Sequence, residues 1–333
     1  MDRSAVTLAV LLVATLGTVP ATRAANIGSQ RVGTSALTFL KIGVGARPAA
    51  MGQSVIALPG DPEALFHNPA GLADIKRRAV VFERVSWLTG IDVTAVGLAA
   101  PVPWGGVAGA SLMGLGVEME ETTELAPSGT GRSFSHRDLA AGLSYARHLT
   151  DRFSLGLSAR LIYEALGTEI GGPSGVTWVM DMGTTFHTGF RNVVLAVAIQ
   201  SFGADLDPGG GFVDSRPGEG TAVEYSSYSP PTTFRLGTAY QLWAVPRAEL
   251  NVTGEFVRPA DNDETLRFGT ELEMVGGRLM LRGGYDGASD ALPWSGGFGV
   301  AWWNDQIDLA LDYAFSHSEY FDRVDRVSLK LSF

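Results

Sequence analysis

Apolar and polar residues alternate with a period of two along much of the chain. The last residues, RVDRVSLKLSF, show the pattern clearly: positions 327, 329, 331 and 333 are apolar, and the positions between them are charged or hydroxylated. The same alternation recurs at 139–146, 234–242, 266–274 and 307–316. A period of two is that of a β-strand with one apolar face. The pattern therefore predicts an all-β chain.

Segments of this kind, each about ten residues long, are found from residue 79 to the last residue. We place their starts near residues 79, 90, 106, 137, 152, 175, 192, 230, 247, 264, 278, 294, 306 and 323. That gives about 14 strands, an even number, as bacterial single-chain transmembrane barrels have. The fold class predicted is a 14-stranded antiparallel transmembrane β-barrel.

The connections between the predicted strands alternate in length. Every second connection is short, such as PVPWG, TDR, TGFRN and WAVP, whereas the others include the long stretches 118–136 and 203–231. Outer-membrane barrels have short turns on the periplasmic side and long loops outside. A soluble β-sandwich gives no reason for this sorting, so the connections favour the barrel.

The apolar faces of such a barrel would contact lipid, and their partners would point into the lumen. The charged residues expected to face the lumen are Arg160, Glu164, Arg235, Glu255, Arg267, Glu271, Glu273, Asp308, Asp312 and Lys330. The alternative is a half-solvated sheet with an ordinary charged surface.

The two ends of the chain suggest export and barrel assembly. Residues 1–24 combine a basic residue, an apolar run and small residues before Ala24, the pattern of a secretory signal peptide. The run is shorter than the roughly 20 residues of a membrane anchor.

The final strand, with Leu329, Leu331 and the terminal Phe333, resembles the C-terminal signal recognised by the barrel-assembly machinery. A soluble β-protein could also end on an edge strand. The expected location is the outer membrane.

Composition narrows the remaining function classes. The net charge of −10 and the pI near 5.0 argue against a nucleic-acid partner. With no cysteine there is no disulfide framework, and the five histidines are scattered without metal-ligand spacing. Gly43-x-Gly45 lacks the rest of a dinucleotide loop. We therefore expect no cofactor, no metal and no enzymatic activity.

Residues 25–78 precede the first strand and differ from the rest. The stretch Lys41–Ala73 is rich in Gly, Ala and Pro. Asp61 before Pro62 and Glu63 reads as the start of a short helix, which should stop before Pro69. We expect this segment to fold into the barrel as a hatch, with the barrel itself formed by residues 79–333.

The string FLKIGVGARPAAMGQSVIALPGDPEALFHNPAGLA resembles the N-terminal region of the PorV/PorQ family, which is similar to the FadL outer-membrane transporters. The matching residues are Gly43, Gly45, Ala46, Arg47, Met51, Gly52, Asp61, Ala64, Asn68, Pro69, Ala70, Gly71 and Leu72. Gln53 and His67 depart from the usual residues. The resemblance implies a 14-stranded barrel with an N-terminal hatch.

Two roles follow from the resemblance. The first is an accessory role in protein secretion or surface attachment of the type IX kind, with secreted cargo or a secretion component as partner. The alternative is passive transport of a hydrophobic small molecule, gated by the hatch. For transport, we expect a kink in the Gly-rich third strand, GGVAGASLMGLG, where glycine favours a bend or bulge.

Overall fold

The computed structural model describes residues 33–213, 222–287, 289, 292–318 and 323–333. The predicted signal peptide and residues 25–32 lie outside the described residues. The described strands are β1 (Ala79–Ser86), β2 (Asp92–Pro101), β3 (Val107–Glu120), β4 (Ser133–Thr150), β5 (Phe153–Leu166), β6 (Ser174–His187), β7 (Val194–Gly203), β8 (Gly211–Val213), β9 (Ala222–Glu224), β10 (Thr233–Val245), β11 (Ala248–Pro259), β12 (Thr265–Met274), β13 (Leu279–Asp286), β14 (Trp294–Trp303), β15 (Asp308–His317) and β16 (Val324–Ser332).

Fourteen of the strands described form one closed antiparallel barrel, in which each strand pairs with its neighbours along the chain. The last strand closes the barrel on the first, with Ala79 opposite Ser332. Strands β8 and β9 pair only with each other in the long connection between β7 and β10. The predicted 14-stranded barrel is confirmed, and most predicted strand starts lie within three residues of the observed ones.

The connections alternate in length as predicted. Short turns such as 151–152, 246–247 and 304–307 lie at one end of the barrel, and longer loops such as 121–132 and 204–232 lie at the other. Strands β3 and β4 extend into the stretch 118–136 that was expected to be a loop, because Val117–Glu120 stays paired with Ser133–His136.

The outward face of the barrel is apolar. In β12, Leu266 and Phe268 point outward and are about half exposed, whereas Glu271 is fully buried on the inward face. Tryptophans lie at both ends of β14, at Trp294 and Trp303. Aromatic residues at the ends of strands with an apolar band between them are typical of a barrel wall in lipid.

The inward face is not polar throughout. Val85, Val93, Met113, Ile162 and Val179 point inward and form one buried apolar cluster. They pack against the segment that precedes β1, including Leu37, Phe39 and Val44. Inward positions are apolar where these three residues cover them and charged on other parts of the wall, so the lumen is not a uniformly wet interior.

Residues 33–78 are called the leader below. It contains two short α-helices, α1 (Ala46–Ala50) and α2 (Ala64–His67), and 3₁₀ turns at Thr38–Lys41 and Pro69–Asp74. As expected, the chain leaves α2 at Asn68, which is extended before Pro69. No helix in the described part of the chain is both long and apolar enough to span a membrane.

Candidate functional site: the leader and the wall beside it

Ion pairs join α1 to one side of the barrel. The Arg47 guanidinium donates to both carboxylate oxygens of Glu271 on β12, at 2.8 and 2.6 Å, and to Asp61 at 3.0 Å. Arg282 on β13 donates to the same Glu271 at 2.6 Å and to Asp312 on β15 at 2.6 Å. Charge-assisted bonds with paired geometry are the strongest hydrogen bonds in proteins. They bind the leader firmly to this wall.

Lys330 on β16 adds a second ionic connection to the leader. Its Nζ lies 2.8 Å from Asp61, 3.1 Å from Glu63 and 3.2 Å from Asp312. Burial alone would raise the pKa of Asp61, but Lys330 and Arg47 hold this pKa below its usual range. Asp61 therefore stays ionised and paired. Its other carboxylate oxygen accepts from the backbone N–H of Glu63 at 2.9 Å, as expected at the start of the turn.

Close backbone approach also anchors this side. The N–H of Ala46 donates to Ser328 Oγ at 2.6 Å. Gly52 has a φ of +61°, and a Cβ at this position would lie 2.6 Å from backbone atoms of Tyr285. A side chain would therefore be excluded both by the left-handed conformation and by the wall.

The opposite side of the leader rests on neutral contacts. The Asn68 amide donates to the carbonyl of Ile56 at 2.7 Å, and its oxygen accepts from the N–H of Ala70 at 3.1 Å. A Cβ at Gly183 on β6 would lie 1.8 Å from the Asn68 amide oxygen, and one at Gly156 on β5 would lie 2.2 Å from the nitrogen of Ala70. These two glycines form a cradle for the Asn68–Ala70 step.

The buried side chain of His67 also makes an uncharged contact. Its Nε2 lies 2.7 Å from the carbonyl oxygen of Val44. Burial, with Arg235 nearby, lowers the pKa of His67 to about 3. The ring is therefore neutral at physiological pH, and because a carbonyl only accepts, Nε2 carries the proton.

The expected kink in the third strand is wrong. Strand β3 pairs with β2 and β4 in continuous register over its length. Its glycines have another use: a Cβ at Gly109, or at Gly97 on β2, would lie 2.5 or 2.6 Å from a methyl carbon of Leu65 in the leader. The glycines make room for α2 instead of bending the wall.

The wall is irregular between β6 and β7. The register shifts between Met180 and Met182, where Asp181 faces two residues of β7. One of these, Ser201, has a left-handed φ of +55°. Asp181 Oδ1 accepts from the backbone N–H of Ser201 at 2.7 Å and from Arg160 Nη2 at 2.6 Å. A carboxylate thus takes up an N–H group that the bulge releases from the ladder.

Open space lies on both sides of this bulge. Inside, a cavity of about 180 Å³ extends toward the long-loop end and is bordered by Arg160, Ser201 and Phe66 among others. Outside, a concavity of about 600 Å³ is lined by Leu143, Leu157, Met180, Met182, Ile199 and Phe202, and reaches the inward-facing Ser144, Ser158 and Asp181. The side chains of Asp181 and Arg160 separate the two spaces.

The structure places the charged residues predicted for the lumen in several separate groups. Glu271, Asp312 and Lys330 meet in the network around Arg47. Arg235 pairs with Glu255, and Arg267 lies 3.0 Å from Asp286. Asp308 pairs with Arg77 at the short-turn end. Glu164 lies near the His136–Asp138 pair, and Glu273 is half-buried on the inward face of β12.

The remaining predicted residues occupy the closing strand. Leu329 and Leu331 face outward and pair with residues of both β1 and β15. The N–H of Phe333 donates to the carbonyl of Arg78 at 2.9 Å. Their role as an assembly signal stays a prediction. No group of three or more His, Asp or Glu side chains within the described ranges is arranged to hold a metal ion.

Three charged residues of the inward face were not singled out from the sequence: Glu83, Asp181 and Arg282. Asp181 and Arg282 stand at inward positions of alternating strands, so the alternation could have identified them. Glu83 lies in AVVFERVS, where both faces carry apolar residues and the period gives no direction.

Several solved structures share this barrel fold. It is similar to a FadL homologue from Pseudomonas aeruginosa (TM-score 0.55, 12% identity, covering 86% of this chain and 97% of that one). It is also similar to the Pseudomonas putida toluene transporter TodX (0.58, 15%, 87% and 97%) and to the monoaromatic hydrocarbon channel CymD (0.53, 13%, 87% and 97%). Identities this low indicate a shared fold. No family model and no curated protein matches the sequence.

Proposed function

We propose that this protein is an outer-membrane channel for small hydrophobic compounds, which leave the lumen sideways through the wall between β6 and β7. The observation that carries the proposal is the position of the β6–β7 bulge. It lies between an interior cavity and an apolar concavity on the lipid-facing surface.

The size and lining of the cavity suit a small compound. A void of about 150 Å³ lined by apolar groups holds one benzene molecule, and this cavity measures about 180 Å³. Leu40, Ile42, Phe66, Met113 and Val257 supply its apolar lining. Four of the charged side chains that line the cavity are paired: Arg160 with Asp181, Arg235 with Glu255, Arg267 with Asp286 and Lys41 with Asp261.

In this proposal the leader acts as the hatch of the route. Ionic bonds tie it to β12, β15 and β16, whereas neutral contacts and two glycines meet it at β5 and β6. A displacement that preserves the ionic side would clear the wall beside the bulge. The fold shared with TodX and CymD, described as a toluene transporter and a monoaromatic hydrocarbon channel, supports the same function.

The accessory role in secretion is the second candidate. The resemblance of residues 39–73 to the PorV/PorQ family favours it, and the long connection 204–232 offers a surface for a protein partner. The solved structures that share this fold favour transport over secretion.

The test measures uptake of radiolabelled toluene by cells whose outer membrane carries the protein. Ala159 on β5 points outward into the concavity, and Ala159→Trp would fill this space. We expect uptake to fall several-fold in this variant. The matched control is Val300→Trp on β14, another lipid-facing position, which should leave uptake unchanged.

Uptake that is equal with and without the protein would refute the transport function. In that case, a secreted protein that co-purifies with the solubilised barrel would establish the accessory role. Equal loss in both tryptophan variants would place the route elsewhere in the wall.

A further inference from the structure

Two buried carboxyl groups meet where the leader contacts β1. Glu63 of the leader is 2% exposed, and Glu83 of β1 is 1% exposed. Both side chains contact β16 at successive inward positions, Glu63 at Lys330 and Glu83 at Ser328. Buried carboxylates are rarely found unless they are paired with a cation or fully hydrogen-bonded.

The contacts of the two groups leave one oxygen of each without a partner. Glu63 Oε2 lies 3.1 Å from Lys330 Nζ, and Glu83 Oε2 accepts from Ser328 Oγ. Glu63 Oε1 and Glu83 Oε1 are buried and receive no hydrogen bond from the residues that the structure describes. Two ionised carboxylates cannot bond to each other, but one proton between them satisfies both oxygens.

The surrounding charges also favour one proton on this pair of carboxyl groups. Glu63 faces Lys330 from β16, Asp61 and Arg47 from the leader, Asp312 from β15 and Glu83 from β1. Lys330 is already shared with Asp61 and Asp312, which are ionised.

Glu83 in turn faces Glu63 and Lys330, and Arg326 of β16 lies close enough to interact with it. Arg326 donates to Gly43 O and Ser316 Oγ, and not to Glu83. Across the network, the carboxyl groups of residues 61, 63, 83, 271 and 312 outnumber the cations of residues 47, 282, 326 and 330. One carboxyl group is therefore left without a cation.

We infer that Glu63 and Glu83 share a single proton, and that this proton holds the leader against β1. Without it, two buried negative charges would stand side by side and repel across the interface. The seated leader thus binds a proton that the displaced leader releases. Seating of the leader is thereby linked to pH. This inference rests on the proposed function, in which the leader is the hatch. It adds a dependence on pH to the position of that hatch.

The direction of the pH dependence follows from the burial of Glu63. Burial, together with the nearby Asp61 and Asp312 and against the opposing effect of Lys330, raises the pKa of Glu63 from 4.5 to about 7. A raised carboxyl pKa means that the seated state binds more protons than the displaced state. Seating therefore weakens as the pH rises above about 4.5, where the displaced carboxyl group has lost its proton and the seated one still holds it.

The experiment uses single cysteines, because the chain has none of its own. Ser54 is a fully buried leader residue, and Ser54→Cys reports displacement of the leader through its rate of thiol labelling in the full-length barrel. Ser128→Cys in an exposed loop corrects for the intrinsic pH dependence of the thiol. We expect the corrected rate to rise with pH above pH 5, by up to roughly tenfold per pH unit.

Glu63→Gln in the Ser54→Cys background is the decisive variant. An amide has nearly the shape of a protonated carboxyl group and donates to Glu83 at every pH, so the corrected rate should be low and flat. Infrared difference spectra should show a protonated carboxyl group that titrates in the parent protein and is lost in both Glu63→Gln and Glu83→Gln.

A pH-independent rate in the parent protein, or the same pH dependence in the Glu63→Gln variant, would overturn the inference. Because neither readout involves a transported compound, a failure of the transport proposal would leave the infrared result intact. The two proposals can therefore fail separately.

Discussion

Arg160 Nη2 donates to Asp181 Oδ1 at 2.6 Å, and the same oxygen accepts the backbone N–H of Ser201 at 2.7 Å. This relationship joins a charged pair in the lumen to the bulge in the wall. Because Asp181 is buried, its carboxylate supports the bulge only while Arg160 compensates its charge. One ion pair therefore stands across the proposed exit and holds the wall closed there.

Loss of this pair should loosen the wall locally. Asp181→Ala removes the acceptor of the Ser201 N–H and leaves a buried donor unsatisfied, which costs about 1–3 kcal/mol. We expect amide hydrogen exchange in 199–203 to accelerate roughly 5- to 100-fold, and uptake of toluene to increase. Hydrogen exchange with mass spectrometry on the solubilised barrel measures the first effect.

The matched control is Asp286→Ala, which removes the partner of Arg267 from the regular ladder between β12 and β13. It should leave exchange in 199–203 unchanged. If the two variants accelerate this segment equally, Asp181 has no particular role in the bulge.

Stapling β6 to β7 should block lateral exit. Met182 and Ile199 are direct cross-strand partners beside the bulge and both border the outer concavity. Cysteines at opposed positions of neighbouring strands lie close enough for a disulfide. We expect uptake by the Met182→Cys, Ile199→Cys double variant to fall several-fold on oxidation and to recover on reduction.

Leu281 and Phe298 are the equivalent outward-facing pair on the regular wall of β13 and β14. A disulfide there should leave uptake unaffected. Unchanged uptake with the β6–β7 staple closed would exclude parting of these strands from the transport route.

The architecture could be predicted from the sequence, but the irregular part of the wall could not. Alternation and connection length depend on residues close together in the sequence. They were enough to predict the strands and the closed barrel. The glycines of β3 suggested a bend. The space beside Gly109 is instead filled by the side chain of Leu65, a residue distant in the sequence. The bulge at Asp181 depends on contacts with Arg160 and Ser201, residues on two other strands. Contacts between residues that are distant in the sequence do not change its hydrophobic period, so a single sequence does not reveal them.

The leader should detach when its central cation is removed. Arg47→Met leaves Asp61 and Glu271 with less compensation, and breaking a buried ion pair costs about 3–5 kcal/mol. The barrel ladder does not pass through Arg47, so we expect the heat-resistant barrel to persist while the leader becomes sensitive to protease. Limited proteolysis followed by mass spectrometry identifies the cleaved segment.

Lys76→Met is the matched control, because Lys76 is an exposed residue of the same leader. This variant should resist protease as the parent does. A leader that stays protected in the Arg47→Met variant would show that apolar packing alone holds it in place.

Filling the glycine cradle should push the leader away from β5 and β6 while its ionic side stays in place. A Cβ at Gly183 would overlap the Asn68 amide, and one at Gly156 would overlap Ala70. We expect Gly183→Ala to destabilise the seated leader by about 1–3 kcal/mol, as overpacking does. A displaced leader leaves more of the lumen open, so single-channel conductance in planar bilayers should increase.

The matched control is Gly254→Ala on β11, where a Cβ would meet only ordinary contacts at 3.7 Å or more. This variant should conduct like the parent. Equal conductance in all three proteins would mean that the leader does not occlude the lumen at the cradle, and the hatch would have to act elsewhere.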